Sequence, residues 1–155
     1  MYSVGGRNAA TAATANHAIW SLWNPHATQR IKVVSFSMFA QSAAPAAGFG
    51  VRLRRITARG TAGSTITPAI TNHHRRVLAP PSGCLLDFAA FGTQPTLEGN
   101  DLVLPFVFAA VQGSGIVYPI PAGLEIGPGA GIACIQVPAT ASVQFDIGVT
   151  WDEDW

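Results

Sequence analysis

The residues with chemistry to offer are few. Four histidines (His17, His26, His73, His74), two cysteines (Cys84, Cys134) and eight carboxylates are the main acid–base and metal-binding groups in 155 residues. The sequence His73-His74-Arg75-Arg76 is the densest cluster. Adjacent side chains on an extended chain point to opposite faces, so its two imidazoles are poorly placed to share a metal. No acid precedes residue 87, so a zinc site would have to gather its ligands from distant stretches. The expectation is no metal and no cofactor, with this cluster on a solvated or interface-facing loop.

Nucleophilic chemistry fares no better. A nucleophile elbow needs Gly-x-Ser-x-Gly at a strand-to-helix turn, and the chain has none. QGSGI (112–116) flanks Ser114 with glycines at the wrong spacing. GPGAG (127–131) lacks both the lysine and the spacing of a phosphate loop and reads as a tight turn. Cys84 and Cys134 stand in no metal spacing and read as small buried hydrophobes rather than a bridge. A small jelly-roll enzyme of the cupin-like kind would need a cluster of histidines and acids, and the histidine spacing offers none. No catalytic residue is expected, and the chain reads as a non-enzyme.

Charge is scarce and segregated. Only 11% of residues are charged, against roughly 25% in an ordinary soluble chain, while 48% are hydrophobic. A skin so poor in charge favours burial in an assembly. All nine basic residues, from Arg7 to Arg76, precede residue 77, and all eight acids, from Asp87 to Asp154, follow it. These halves either pair within one chain, as interleaved sandwich strands allow, or meet across subunits. The basic segment Arg52, Arg54, Arg55 and Arg59 could contact phosphates. A net charge of only +1 argues against nucleic acid, and arginines on a strand's outer face more often fork onto carboxylates.

The elements that must position these groups are strands. Val143, Phe145, Ile147, Val149 and Trp151 fall on every second residue, the period of a half-buried strand. AIWSLW before Asn24-Pro25, RIKVVSFSMF (30–39) and GFGVRLRRIT (48–57) alternate similarly, and Arg55 breaks phase as a bulge or strand exit would. Residues 60–83 read as loop, CLLDFAAF (84–91) as strand or helical turn. LVLPFVFAAV (102–111) reads as a strand that Pro105 confines to a sheet edge or bulge. Short strands with Gly/Pro turns fill 116–137. Seven to nine strands with no helical period predict an all-β protein: one antiparallel β-sandwich over 16–155, of jelly-roll type. Residues 1–15 read as an extended arm with nothing to anchor them. No segment reaches the roughly 18 apolar residues of a membrane helix. The first residues lack the order of a signal peptide, which fits synthesis in a cytoplasm.

Several stretches resemble a group of structural proteins from tailed bacteriophages. They are IWSLWNP after an Ala/Thr-rich arm, RIKVVSFSM, GVRLRRITARGTAGSTITP, IPAGLEIGPGAGIACI and the closing VQFDIGVTWDE. The resemblance spans most of the chain except 78–100, and rests on turns and hydrophobic alternation. It implies a virion component on the capsid exterior: a decoration (cement) protein, homotrimeric, bound to the phage major capsid protein, with no nucleic acid or membrane partner. The interface expected is Trp23, Arg52, Arg54, Arg55 and Arg59 on one side. Asp152, Glu153, Asp154 and Trp155, leaving the last strand for an adjacent subunit, form the other. The alternative is a tail or baseplate adhesion module that binds carbohydrate or a receptor, with Trp23, Tyr118 and the 60–76 loop as its surface.

Overall fold

The computed structural model describes residues 1–8, 14–41, 49–66, 71–72, 83–109, 111–137, 139 and 143–153. Its strands are β1 (Tyr2–Arg7), β2 (Ala18–Asn24), β3 (Ile31–Ala40), β4 (Phe49–Ala58), β5 (Thr61–Ile66) and β6 (Thr71–Asn72), then β7 (Leu85–Thr93), β8 (Thr96–Phe108), β9 (Gly115–Ile126), β10 (Ala130–Gln136) and β11 (Phe145–Glu153). No helix occurs among the described residues, hence none long and apolar enough to cross a membrane. The strands form a five-stranded sheet, β6-β1-β11-β3-β9, and a six-stranded sheet, β5-β7-β2-β10-β4-β8. Every pairing is antiparallel, and the two curled sheets make a sandwich-like all-β fold.

The alternation in the last strand becomes its two faces. Phe145, Ile147, Val149, Trp151 and Glu153 are buried, while Asp146, Gly148, Thr150 and Asp152 are only half-buried. The first set meets Phe49, Leu22, Trp20 and Ile132 from the other sheet in the main core. Phe145 touches Phe49 and Phe108 with ring centroids 5.5 and 5.2 Å apart. Aromatic packing at these separations adds about 0.5–1.5 kcal/mol per pair beyond area burial.

Strands β2 and β10 are buried on both faces. Trp20, Leu22, Ile132 and Cys134 face the main core, whereas Ala18, Ala133 and Ile135 join Ile56 and Phe91 in a second cluster. The curl follows from local irregularities. The β4–β8 register shifts around Arg54 and Ile56, the bulge that the out-of-phase Arg55 signalled. At the β4–β5 turn Gly60 adopts φ +75°, and a Cβ there would lie 2.5 Å from the Thr93 carbonyl oxygen. Only glycine fits that turn, which brings β5 back onto β7.

Two sequence expectations change. Residues 2–7 are not an unanchored arm: they pair with β11 along their whole length, and Tyr2 is 1% exposed against Trp151. The backbone hydrogen bonds of β11 and the Tyr2–Trp151 stack supply the anchor that composition did not reveal. Residues 61–66, read as loop, form β5. CLLDFAAF proves to be a strand, and Pro105 does sit on an edge strand, β8.

Candidate functional sites

The first cluster lies on the outer side of the six-stranded sheet. Asp87 is fully buried between the neighbours Leu86 and Phe88 of β7. Arg59, which opens the β4–β5 turn, donates to both its oxygens, Nε to Oδ2 and Nη2 to Oδ1, each at 2.6 Å. Thr65 of β5 donates its hydroxyl to Oδ1 at 2.6 Å and accepts from Arg59 Nη2 at 2.7 Å. A bidentate fork with a hydroxyl completes the lone pairs of a carboxylate that would otherwise be costly to bury. The bond to Asp87 holds the Arg59 guanidinium above its ordinary pKa. This cluster locks β5, β7 and the turn together, and its groups are spent on one another.

The second cluster joins the ends of the two sheets. Glu153 ends β11, Cys84 precedes β7, and His26 lies in the loop from β2 to β3. Cys84 Sγ donates to Glu153 Oε1 at 3.5 Å, and His26 Nε2 lies 3.8 Å from Glu153 Oε2. One ligand atom from each residue lies within 4.8 Å of the other two. Trp151, two residues before Glu153 on the same face, donates its indole N–H to Oε1 at 3.0 Å. Tyr2 stacks on Trp151 at 6.1 Å; burial, then the charges of Glu153 and Cys84, push its phenol above the usual value. The His26 loop is built rather than loose. Buried Asn24 accepts from the His26 backbone N–H at 3.1 Å and donates to the carbonyls of Gln29 and Gly127 at 2.9 and 3.0 Å. Gly83 leaves room for the imidazole, since a Cβ there would sit 2.9 Å from its Cε1.

The third feature is the outer face of the five-stranded sheet. Ser3, Ser35, Ser37, Thr150 and Phe39 line an open groove of about 390 Å3 with Val117 at its rim. Its floor is smooth because Gly5 pairs with Gly148. Of the exposed large hydrophobics among the described residues, Val107 (79%), Val117 (65%) and Val111 (62%) lie between 107 and 117, and Phe39 pairs with Gly115. This apolar margin runs from edge strand β8 of one sheet, through the connection that carries Val111, to edge strand β9 of the other, whose inward-facing Tyr118 meets Phe106 of β8 at 5.3 Å.

The residues expected at an interface do not come together as one. Arg59 is committed to Asp87. Arg54 and Arg55 donate to the carbonyls of Gly99 and Glu125 at 2.5 and 2.8 Å. Arg52 is exposed on β4. Trp23 is half-buried against the smaller hydrophobic cluster of Ile56 and Phe91, and Tyr118 packs on Phe36 and Phe106, so neither is an open shelf. Glu153 does not leave the sandwich: its side chain is 0% exposed, because odd-numbered positions of β11 face inward. Asp152 pairs with the Met1 amine at 3.2 Å. Asp154, Trp155, His73, His74 and much of the 60–76 loop lie outside the described residues. The segregated charges meet inside one chain in Arg7–Asp146, Arg30–Glu125 and Arg59–Asp87. Cys84 and Cys134 are both free and buried.

Spacing gave no sign of the His26–Cys84–Glu153 trio, whose members come from three separate stretches. One signal was present. Glu153 is in phase with Phe145, Ile147, Val149 and Trp151, and an acid in phase with a core needs a partner. Asp87 within CLLDFAAF carried the same message. Comparisons with protein-family models, with curated proteins and with solved structures find no match.

Proposed function

We propose that the chain is a non-enzymatic structural subunit that works by assembling with copies of itself and with a larger shell. The kind is the capsid-decoration (cement) protein of tailed phages, to which stretches of its sequence are similar. The observation that carries this reading is the apolar margin of Val107, Val111, Val117 and Phe39 on a molecule with little charge to spare. Solvent-facing valines on β8, on β9 and on the connection between them favour association, since exposed apolar residues mark contact sites. Many copies tiling a lattice turn modest contacts into firm attachment. Connections that repeatedly cross between the sheets suit the jelly-roll variety of sandwich.

Glu153 is buried and Asp152 pairs with the Met1 amine, so the margin is the self-contact we propose. Sedimentation of the wild-type chain should give an oligomer, a trimer in the cement reading, and Val107→Asp with Val117→Asp should give a folded monomer. An unchanged mass for the double variant sinks the margin as interface. Copy number against the major shell protein in purified particles then tests the role. A simple ratio supports tiling, and absence from particles overturns it.

The groove floored by serines and Thr150, with Phe39 beside it, favours a second reading as a tail or baseplate adhesion module. A few copies per particle, with glycan binding lost in Phe39→Ala, would decide for that one.

A further inference from the structure

We infer that His26, Cys84 and Glu153 form a zinc site that staples the two sheets. The donor set is one imidazole nitrogen, one thiolate sulfur and one carboxylate oxygen, a mixture suited to a borderline-soft divalent ion. Zinc bonds of about 2.0–2.3 Å in a tetrahedron separate neighbouring donor atoms by about 3.3–3.8 Å. One donor atom from each residue lies within 4.8 Å of the other two, the sulfur 3.5 Å from one oxygen of Glu153 and Nε2 3.8 Å from the other. Contraction of these separations by up to about 1 Å gives the zinc frame.

Three further observations separate this cluster from a chance meeting of polar groups. His26 Nε2 is shut from solvent and has no hydrogen-bond partner, an uncommon and costly state for a buried nitrogen. Metal coordination would satisfy it. The Trp151 indole fixes Oε1 of Glu153 and leaves Oε2 facing the imidazole, the orienting role that outer partners play around bound metals. The His26 loop is held in place by the Asn24 bonds and by the absence of a Cβ at Gly83, so the ligand is positioned before any ion arrives. The imidazole itself is 22% exposed, while Glu153 is fully covered. The ion would therefore enter past His26.

The charge balance is simple. Binding converts the Cys84 thiol to thiolate, releasing one proton to solvent. One thiolate and one carboxylate balance the two charges of the ion, so the zinc–ligand unit is neutral overall. That neutrality suits a site with two buried ligands. Glu153 closes a strand of one sheet, Cys84 leads into a strand of the other, and His26 sits on the crossing between them. The inference stands apart from the assembly reading, since a monomer would bind the ion equally well.

The test is zinc titration of the metal-stripped, full-length chain under reducing conditions, by calorimetry and elemental analysis. One zinc per chain is expected, with melting raised by about 5–10 °C at a hundredfold excess over Kd. Cys84→Ser and His26→Ala should each weaken binding by about 100-fold or more, and Trp151→Phe by about 10-fold, with Cys134→Ser as the unaffected control. Cobalt should give a thiolate charge-transfer band that disappears in Cys84→Ser. His26→Ala alters a partly exposed loop, so it remains informative if a core variant fails to fold. No binding at micromolar zinc, or equal affinity in Cys84→Ser or His26→Ala, overturns the site.

Discussion

Trp151 and Glu153 share one buried face of β11 and are joined there by a 3.0 Å hydrogen bond from indole to carboxylate. A hydrogen bond to a charged group contributes about 1.5–3 kcal/mol, and replacing indole by a smaller ring also leaves a void. Trp151→Phe is therefore expected to cost about 3 kcal/mol in urea unfolding of the metal-free protein. A loss under about 1 kcal/mol would mean that the bond adds nothing net.

Arg59 and Asp87 should prove unequal to remove. Taking away the cation strands a carboxylate whose side chain is 0% exposed, while Arg59 itself is 33% exposed. Arg59→Ala is expected to cost about 3 kcal/mol, the low end for a broken buried pair because water already reaches the guanidinium. Asp87→Asn with Arg59→Met removes both charges and should recover much of that loss. Additive losses in the double-mutant cycle would show that the pair is not coupled.

Arg7 and Asp146 are largely exposed, and their effect should be small, acidic and sensitive to salt. The bond from Arg7, more than its charge, lowers the Asp146 pKa below 3.8. A carboxylate lowered on folding stabilises fully above its unfolded pKa and loses that contribution as pH falls through the folded value. The acid limb of the stability curve should thus move to higher pH in Arg7→Ala at low ionic strength. Added salt should erase the difference. An identical acid limb in both proteins would refute the coupling.

Tyr2 offers the sharpest contrast with the expectation of an arm. A residue on an unanchored arm can be cut to alanine for nothing. Tyr2 instead stacks on Trp151 at 1% exposure, so Tyr2→Ala should cost about 3–5 kcal/mol. Thermal melting within a degree of wild type would restore the arm.

How much of this was legible depended on where the information lies. The β11 alternation is local and therefore legible; of the alternatives left open, an edge or a bulge for Pro105 and a bulge or a strand exit for Arg55, the structure has the edge and the bulge. The strand Tyr2–Arg7 was hidden because two glycines interrupt its pattern and its partner lies at the far end of the chain. TAGSTI has a single large apolar residue, so β5 had no alternation to show. The Arg59–Asp87 fork and the His26–Cys84–Glu153 trio are products of tertiary pairing, which local spacing does not encode. Burial of Glu153 and Asp87 was inferable from parity, whereas the identity of their partners was not.

The prolines on the open side of the molecule carry a last consequence. Pro105 lies on β8, and Pro119 and Pro121 on β9, the strands that end the two sheets beside the apolar margin. Proline cannot donate a main-chain N–H, so neither strand offers an unbroken ladder for an incoming chain to copy. Between Leu124 and Pro119 the β9 register also slips against β3, which breaks the ladder again. Side chains here can dock, but the backbone is poor at templating. Contact between copies at these edges would have to fit side-chain surfaces together, which protects the molecule against the runaway strand-by-strand polymerisation that ends in fibrils.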